Sequence, residues 1–161
     1  MVLVINDDGH NGSEAAFTSA FAQIGYHEGV AYDTYTVRDP GGRESNGIGS
    51  AGGHGATAEQ LVGYESIFYL SGKLAPSSLS DGSDVSPNDK SDDIAVLEAW
   101  VNTSGVRNAA YFGDNIAHGL ATYSARGAAY LAGTMGVEYL ADDVRPTIES
   151  QVAPVVMPSD Y

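Results

Sequence analysis

The chain opens on Val2-Leu3-Val4-Ile5, an unbroken apolar run closed by Asn6-Asp7-Asp8-Gly9-His10. That pattern predicts a first strand buried on both faces, with a polar loop at its carboxyl end. Phe17, Ala20, Phe21 and Ile24 then fall at i, i+3, i+4 and i+7, one face of a helix. Asn11 and Glu14 form a capping pair for it, and Gly25 is its natural stop. Asp33-Thr34-Tyr35-Thr36-Val37 is β-branched and aromatic and predicts a second strand.

Residues 39–55 carry Gly41, Gly42, Gly47, Gly49, Gly52, Gly53 and Gly55, too many for a regular element. Thr57-Ala58-Glu59-Gln60-Leu61 starts a short helix, and Ser66-Ile67-Phe68-Tyr69-Leu70 predicts a third strand that delivers the turn Ser71-Gly72-Lys73. Residues 79–93 are rich in Ser, Asp and Gly and predict an exposed excursion. Ser91 caps the next helix, with Asp92 and Asp93 in its first turn, where carboxylates complement the dipole. Ile94, Leu97 and Val101 are its inner stripe, widened by Trp100.

Ala109-Ala110-Tyr111-Phe112 predicts a fourth strand running into Gly113-Asp114-Asn115. A helix follows from Ile116 to Met135, with Gly119, Gly127 and Gly133 giving it scope for a break. Val137-Glu138-Tyr139-Leu140 predicts a fifth strand and Val152 to Met157 a terminal one. Strands alternating with helices at this spacing predict an α/β fold with a mainly parallel central sheet, as a single domain over residues 1–161. The first strand starts directly after Met1 and an apolar run lies close to Tyr161, which predicts a domain cut from a longer chain.

Composition narrows the partners. Hydrophobic content of 43% over 161 residues is enough for a core without metal or disulfide staples. Seven basic against 21 acidic residues give a net charge of -14, which repels phosphate backbones and anionic lipid. The expectation is therefore no nucleic acid partner and no membrane insertion, since no run approaches the ~20 apolar residues of a bilayer span. Only Lys73 and Lys90 are lysines, and Asp outnumbers Glu, a surface resembling that of proteins adapted to salty water. The lack of cysteine removes disulfides, thiolate nucleophiles and thiolate metal sites together.

The candidate chemistry gathers at the strand ends, where ligands of open α/β sheets bind. Asp7 and Asp8 offer hard oxygen ligands to Mg²⁺ or Ca²⁺; the competing reading has them hydrogen-bonding loop amides and the next helix. Neighbouring residues on a strand point to opposite faces, so a shared metal requires the strand to end at Asn6. Asp114, Asn115 and His118 follow the fourth strand. In a metal phosphohydrolase, Asp7, Asp8, Asp114 and Asn115 would ligate the metal while His118 protonates the leaving group. Against this, Asp114 or Asn115 is a routine helix cap.

His10, His54 and His118 match no zinc spacing, and no Gly-x-Ser-x-Gly elbow follows a strand. Asp81, Asp84, Asp89 and Asp92 share one loop but lack the EF-hand pattern, so a solvated acidic loop is the expectation. The glycines of residues 41–55 do not open a helix directly after a strand and make no phosphate cradle.

Taken together, Val2 to Gly9, the Gly25-Tyr26 turn, Asp33 to Val37, Leu61 to Gly72 and Phe112-Gly113-Asp114-Asn115-Ile116 resemble the class I glutamine amidotransferase-like domains of large secreted or surface bacterial proteins. The resemblance implies a three-layer, flavodoxin-like sandwich and an extracellular or cell-surface setting. Catalytic members carry a Cys nucleophile after a central strand. Phe112 to Ile116 stands at the corresponding strand, turn and helix, and this chain has no Cys. The implied function is a non-catalytic accessory or interaction domain without cofactor, whose partners are flanking domains or another extracellular protein.

More narrowly, Asn6-Asp7-Asp8-Gly9 after an apolar strand is similar to the start of the stationary-phase survival family of metal-dependent nucleotidases. There the paired Asp residues bind the metal, and Arg43-Glu44-Ser45-Asn46 lies roughly where that family adds a Ser ligand. This implies the alternative function, a phosphohydrolase dependent on Mg or another divalent metal.

Overall fold

A computed structural model describes residues 1–8, 12–37, 48, 56–72, 79–83, 91–140, 147–148 and 151–152. Its elements run β1 (Val2–Asn6), α1 (Ser13–Gln23), β2 (Tyr32–Thr36), α2 (Ala58–Leu61), β3 (Ser66–Gly72), α3 (Asp93–Val101), β4 (Asn108–Gly113), α4 (Ile116–Tyr123), α5 (Ala125–Gly133), β5 (Thr147–Ile148) and β6 (Gln151–Val152). The first four strands form one sheet in the order β2-β1-β3-β4, with every neighbouring pair parallel. Strand order reverses between β1 and β3, so the carboxyl ends of those two strands make the switch point. β5 and β6 form a separate two-residue antiparallel ladder.

This is the α/β, flavodoxin-like sandwich, and side-chain alternation builds its layers. Leu3, Ile5, Ile67 and Tyr69 point to one face, where they meet Leu61 of α2, Ile94, Leu97 and Trp100 of α3, Leu120 of α4, and Tyr130 and Leu131 of α5. Val4 and Leu70 point to the other face and meet Phe17 and Phe21 of α1. Burial on both faces explains why β1 reads as a continuous apolar run.

The α1 layer is thin, since none of its residues is fully buried. Phe17 closes edge-on against Phe68 and Phe112, at centroid distances of 5.8 and 4.8 Å, and Phe21 against Phe68 at 5.6 Å. Ile24, expected on the inner face, is 65% exposed. The helix has ended at Gln23, and Gly25 takes the left-handed turn with φ 81°.

The predicted helix from Ile116 to Met135 is two helices. Ser124 adopts an extended conformation between α4 and α5, and its hydroxyl accepts the Gly127 amide at 2.9 Å. Gly127 permits the tight fold-back, because a Cβ there would lie 2.6 Å from the Leu120 carbonyl oxygen. The expected fifth strand is not formed: Val137 to Leu140 is irregular, with Leu140 80% exposed. The Val137 amide instead donates to Leu131 O, closing the end of α5. Of the expected terminal strand only Val152 lies among the described residues, in β6. No described helix is long and apolar enough to cross a membrane.

Candidate functional site at the strand ends

β1 delivers Asn6, Asp7 and Asp8 to the switch point, and all three side chains are buried. The Asp7 amide donates to Leu70 O at 2.8 Å, which carries the β1–β3 ladder one residue beyond Asn6. The two carboxylates then part. Asp7 Oδ2 accepts the Tyr69 hydroxyl at 2.7 Å, on the face that holds α2 to α5. Asp8 Oδ2 turns to α1 on the opposite face, accepting Ser13 N at 2.8 Å, Ser13 Oγ at 2.6 Å and Glu14 N at 3.3 Å.

Asp8 thus fills the capping role expected of Asn11, which lies outside the described residues. The residue at the N-cap position, Gly12, has no side chain to offer and sits at φ 89°. Glu14 is turned backward and accepts the Asn6 side-chain amide. A carboxylate in this place satisfies amides that have no partner within the helix and meets the positive end of its dipole.

The β3 and β4 ends lie against each other. The Asp114 amide donates to Gly72 O at 3.0 Å, and a Cβ on Gly113 would fall 1.9 Å from Ser71 Oγ. Asp114 is exposed, while Asn115 is half-buried at the N-cap of α4 without making a side-chain capping bond. His118 lies in the first turn of α4 and stacks on Tyr139 at 5.6 Å. Among the described residues, no group of three or more His, Asp or Glu side chains has the placement to hold a metal ion. His10, His54, Arg43 to Asn46, Asp84 and Asp89 lie outside the described residues.

The remaining acidic residues of the 79–93 excursion are engaged in the fold. Asp81 Oδ1 accepts the amide and hydroxyl of Ser83, at 3.0 and 2.6 Å. Burial pushes its carboxyl up, but hydrogen bonds from Ser83 and Ser124 more than offset this and hold it below the usual range. Asp92, rather than Ser91, caps α3 by accepting Ala95 N at 2.8 Å, and it also pairs with Arg126.

Asp93, read from sequence as a first-turn carboxylate complementing the helix dipole, is fully buried. Its carboxylate accepts Ile48 N at 2.5 Å, Ser80 N at 3.2 Å and Ser91 Oγ at 2.5 Å. These bonds draw Leu79, Ser80 and Ser91 into the interior, where an exposed excursion was expected. Burial, and then the nearby charge of Asp93, raise the Tyr35 phenol above its ordinary pKa. The doubled Asp92-Asp93 was the available sequence signal, since a helix start has one N-cap seat and two carboxylates competed for it.

Comparison of the chain with protein-family models, with curated proteins and with solved structures finds no match.

Proposed function

We propose that this chain is a non-catalytic accessory or interaction domain of a larger extracellular protein, built on an amidotransferase-like scaffold that lacks the Cys nucleophile. The observation that carries the reading is the open side of β4. Four of its six residues are exposed, none is charged and none is Pro, and among the described residues no strand pairs with its outer edge. Phe112, 42% exposed and stacked at 6.0 Å on Phe68, adds an apolar patch on the α1 side. An edge without a described partner strand beside the exposed Phe112 ring is a contact surface, and flanking domains of the same protein are the partners proposed for it.

The strand-end carboxylates support the non-catalytic part of the reading, because Asp8 is spent on the start of α1. The extracellular setting rests on the family resemblance alone. Calorimetric titration with Mg²⁺, Mn²⁺ and Ca²⁺, followed by a phosphatase screen, tests the proposal. Silence in both is expected. Metal-binding heat and phosphatase turnover that both disappear in Asp7→Asn would replace the proposal with a divalent-metal phosphohydrolase.

A further inference from the structure

A second candidate site lies at the other end of the sheet. Arg107 precedes β4, and because all four strands are parallel it sits at the end opposite Asp7 and Asp8. Between α3, β4 and α5 there is a cavity of about 390 Å³, walled by Leu97, Val101, Ala109 and Met135, with Trp100, Arg107, Tyr111 and Tyr130 also lining it. That volume is near the lower end of small-molecule sites, which run about 300–1,000 Å³.

Two features give the cavity chemical direction. The first is the state of Arg107. Its guanidinium lies 5.7 Å from the Trp100 ring centroid and donates to three neutral oxygens: Thr103 Oγ1 at 2.8 Å, Tyr64 O at 2.9 Å and Ser104 O at 3.4 Å. A guanidinium has five N–H donors, so two are uncommitted by these bonds. Arg126, by contrast, holds both Asp92 and Glu98. Of the two described arginines, Arg107 is half-buried and has no carboxylate partner among the described residues, in a chain with 21 acidic and seven basic residues.

The second feature is the pair of tyrosines. The hydroxyls of Tyr111 and Tyr130 are 2.7 Å apart and share one hydrogen bond. Burial raises both phenols, so both keep their protons at neutral pH. Two protons and one bond leave one O–H to donate elsewhere.

We propose that the cavity between α3, β4 and α5 binds a small aromatic carboxylic acid, with the carboxylate on Arg107 and the ring against the half-buried Tyr111, over a floor formed by the buried Trp100 and Tyr130. The apolar walls take the body of the ligand, and the guanidinium supplies the charge-assisted hydrogen bonds that a neutral analogue would forgo. This site lies away from the strand-end carboxylates and shares Ala109 with the exposed side of β4.

The test uses 3-phenylpropionate as the probe and 3-phenylpropan-1-ol as its neutral counterpart. Trp100 is the only tryptophan of the chain, so its emission reports on the cavity directly. The acid should change that emission saturably, with Kd on the order of 0.1–1 mM for a ligand of this size, and the alcohol should bind about tenfold more weakly. Arg107→Gln should bring the acid down to the level of the alcohol. Arg107 also braces Tyr64 and Ser104, so Ala109→Leu provides a second variant that fills the cavity from β4 and leaves those bonds alone. It should abolish binding with circular dichroism unchanged. The proposal is overturned if the acid does not bind at up to about 10 mM, if acid and alcohol bind equally, or if Ala109→Leu binds the acid as the parent does.

Discussion

Replacing Asp8 separates its two readings by the sign of the effect. Its Oδ2 accepts two backbone amides and one hydroxyl at the start of α1, at 2.6 to 3.3 Å, and the side chain is 2% exposed. Hydrogen bonds to a charged acceptor contribute about 1.5–3 kcal/mol, and a carboxylate in a partly buried helix N-terminus adds up to about 2 kcal/mol. Asp8→Asn keeps an oxygen acceptor and loses the charge, so it should cost about 1–2 kcal/mol. Asp8→Ala leaves all three donors without that acceptor and should cost about 2–4 kcal/mol. For a chain of this length each kcal/mol moves Tm by about 2–4 °C, which places the Asn variant about 2–8 °C below the parent.

Calorimetric melting in EDTA is the assay, followed by the same scan with Mg²⁺. A carboxylate pair awaiting a cation behaves oppositely. Removing one charge would relieve repulsion, leaving the variant as stable as the parent or more so in EDTA. The parent would gain about 2.7 kcal/mol with metal at a hundredfold excess over Kd, and the variant would not. That pair of results would refute the capping argument.

Other regions yield sharp outcomes. Gly127→Ala places a Cβ 2.6 Å from the Leu120 carbonyl, so urea denaturation should show a loss of about 1–3 kcal/mol as α4 and α5 are forced apart. Arg126→Ala should cost less than about 1 kcal/mol, and the loss should shrink further in 1 M salt, because Arg126, Asp92 and Glu98 are each about a third or more exposed. Tyr111 and Tyr130 have raised pKa values in the folded state, so the unfolded chain releases their protons first as pH rises through about 10. Stability should therefore be level below pH 10 with respect to these groups and fall above it, and Tyr130→Phe should flatten the fall in urea titrations at stepped pH.

Legibility from sequence followed the range of the interactions involved. β1 and β3 were readable because burial on both faces imposes long apolar runs, and β4, largely exposed, was readable from its short Ala-Ala-Tyr-Phe run; the observed bounds differ by a residue or two. The α4–α5 break was only half readable: the glycines marked a close approach, but the turn depends on the Ser124 hydroxyl reaching Gly127. Val137-Glu138-Tyr139-Leu140 has strand composition yet gains no ladder partner, and its first amide is taken by α5. The roles of Asp8 and Asp93 were hidden for a different reason. A carboxylate that caps a helix five residues on, or binds an amide 45 residues away, has the same letter and the same neighbours as a surface acid. Arg107 escaped notice too, since an arginine with no carboxylate beside it can be recognised only in three dimensions.

The order β2-β1-β3-β4 also sets a schedule for synthesis. β1 is the most apolar strand and is made first, but Val2 pairs with Tyr32 on one side and Ser66 on the other. At about 5–20 residues per second, roughly 3–13 s separate translation of β1 from translation of the strand that completes its ladder. During that interval Val2 to Ile5 is an apolar strand whose ladder is incomplete. The many carboxylates that follow it would help keep nascent chains on neighbouring ribosomes apart until β3 arrives.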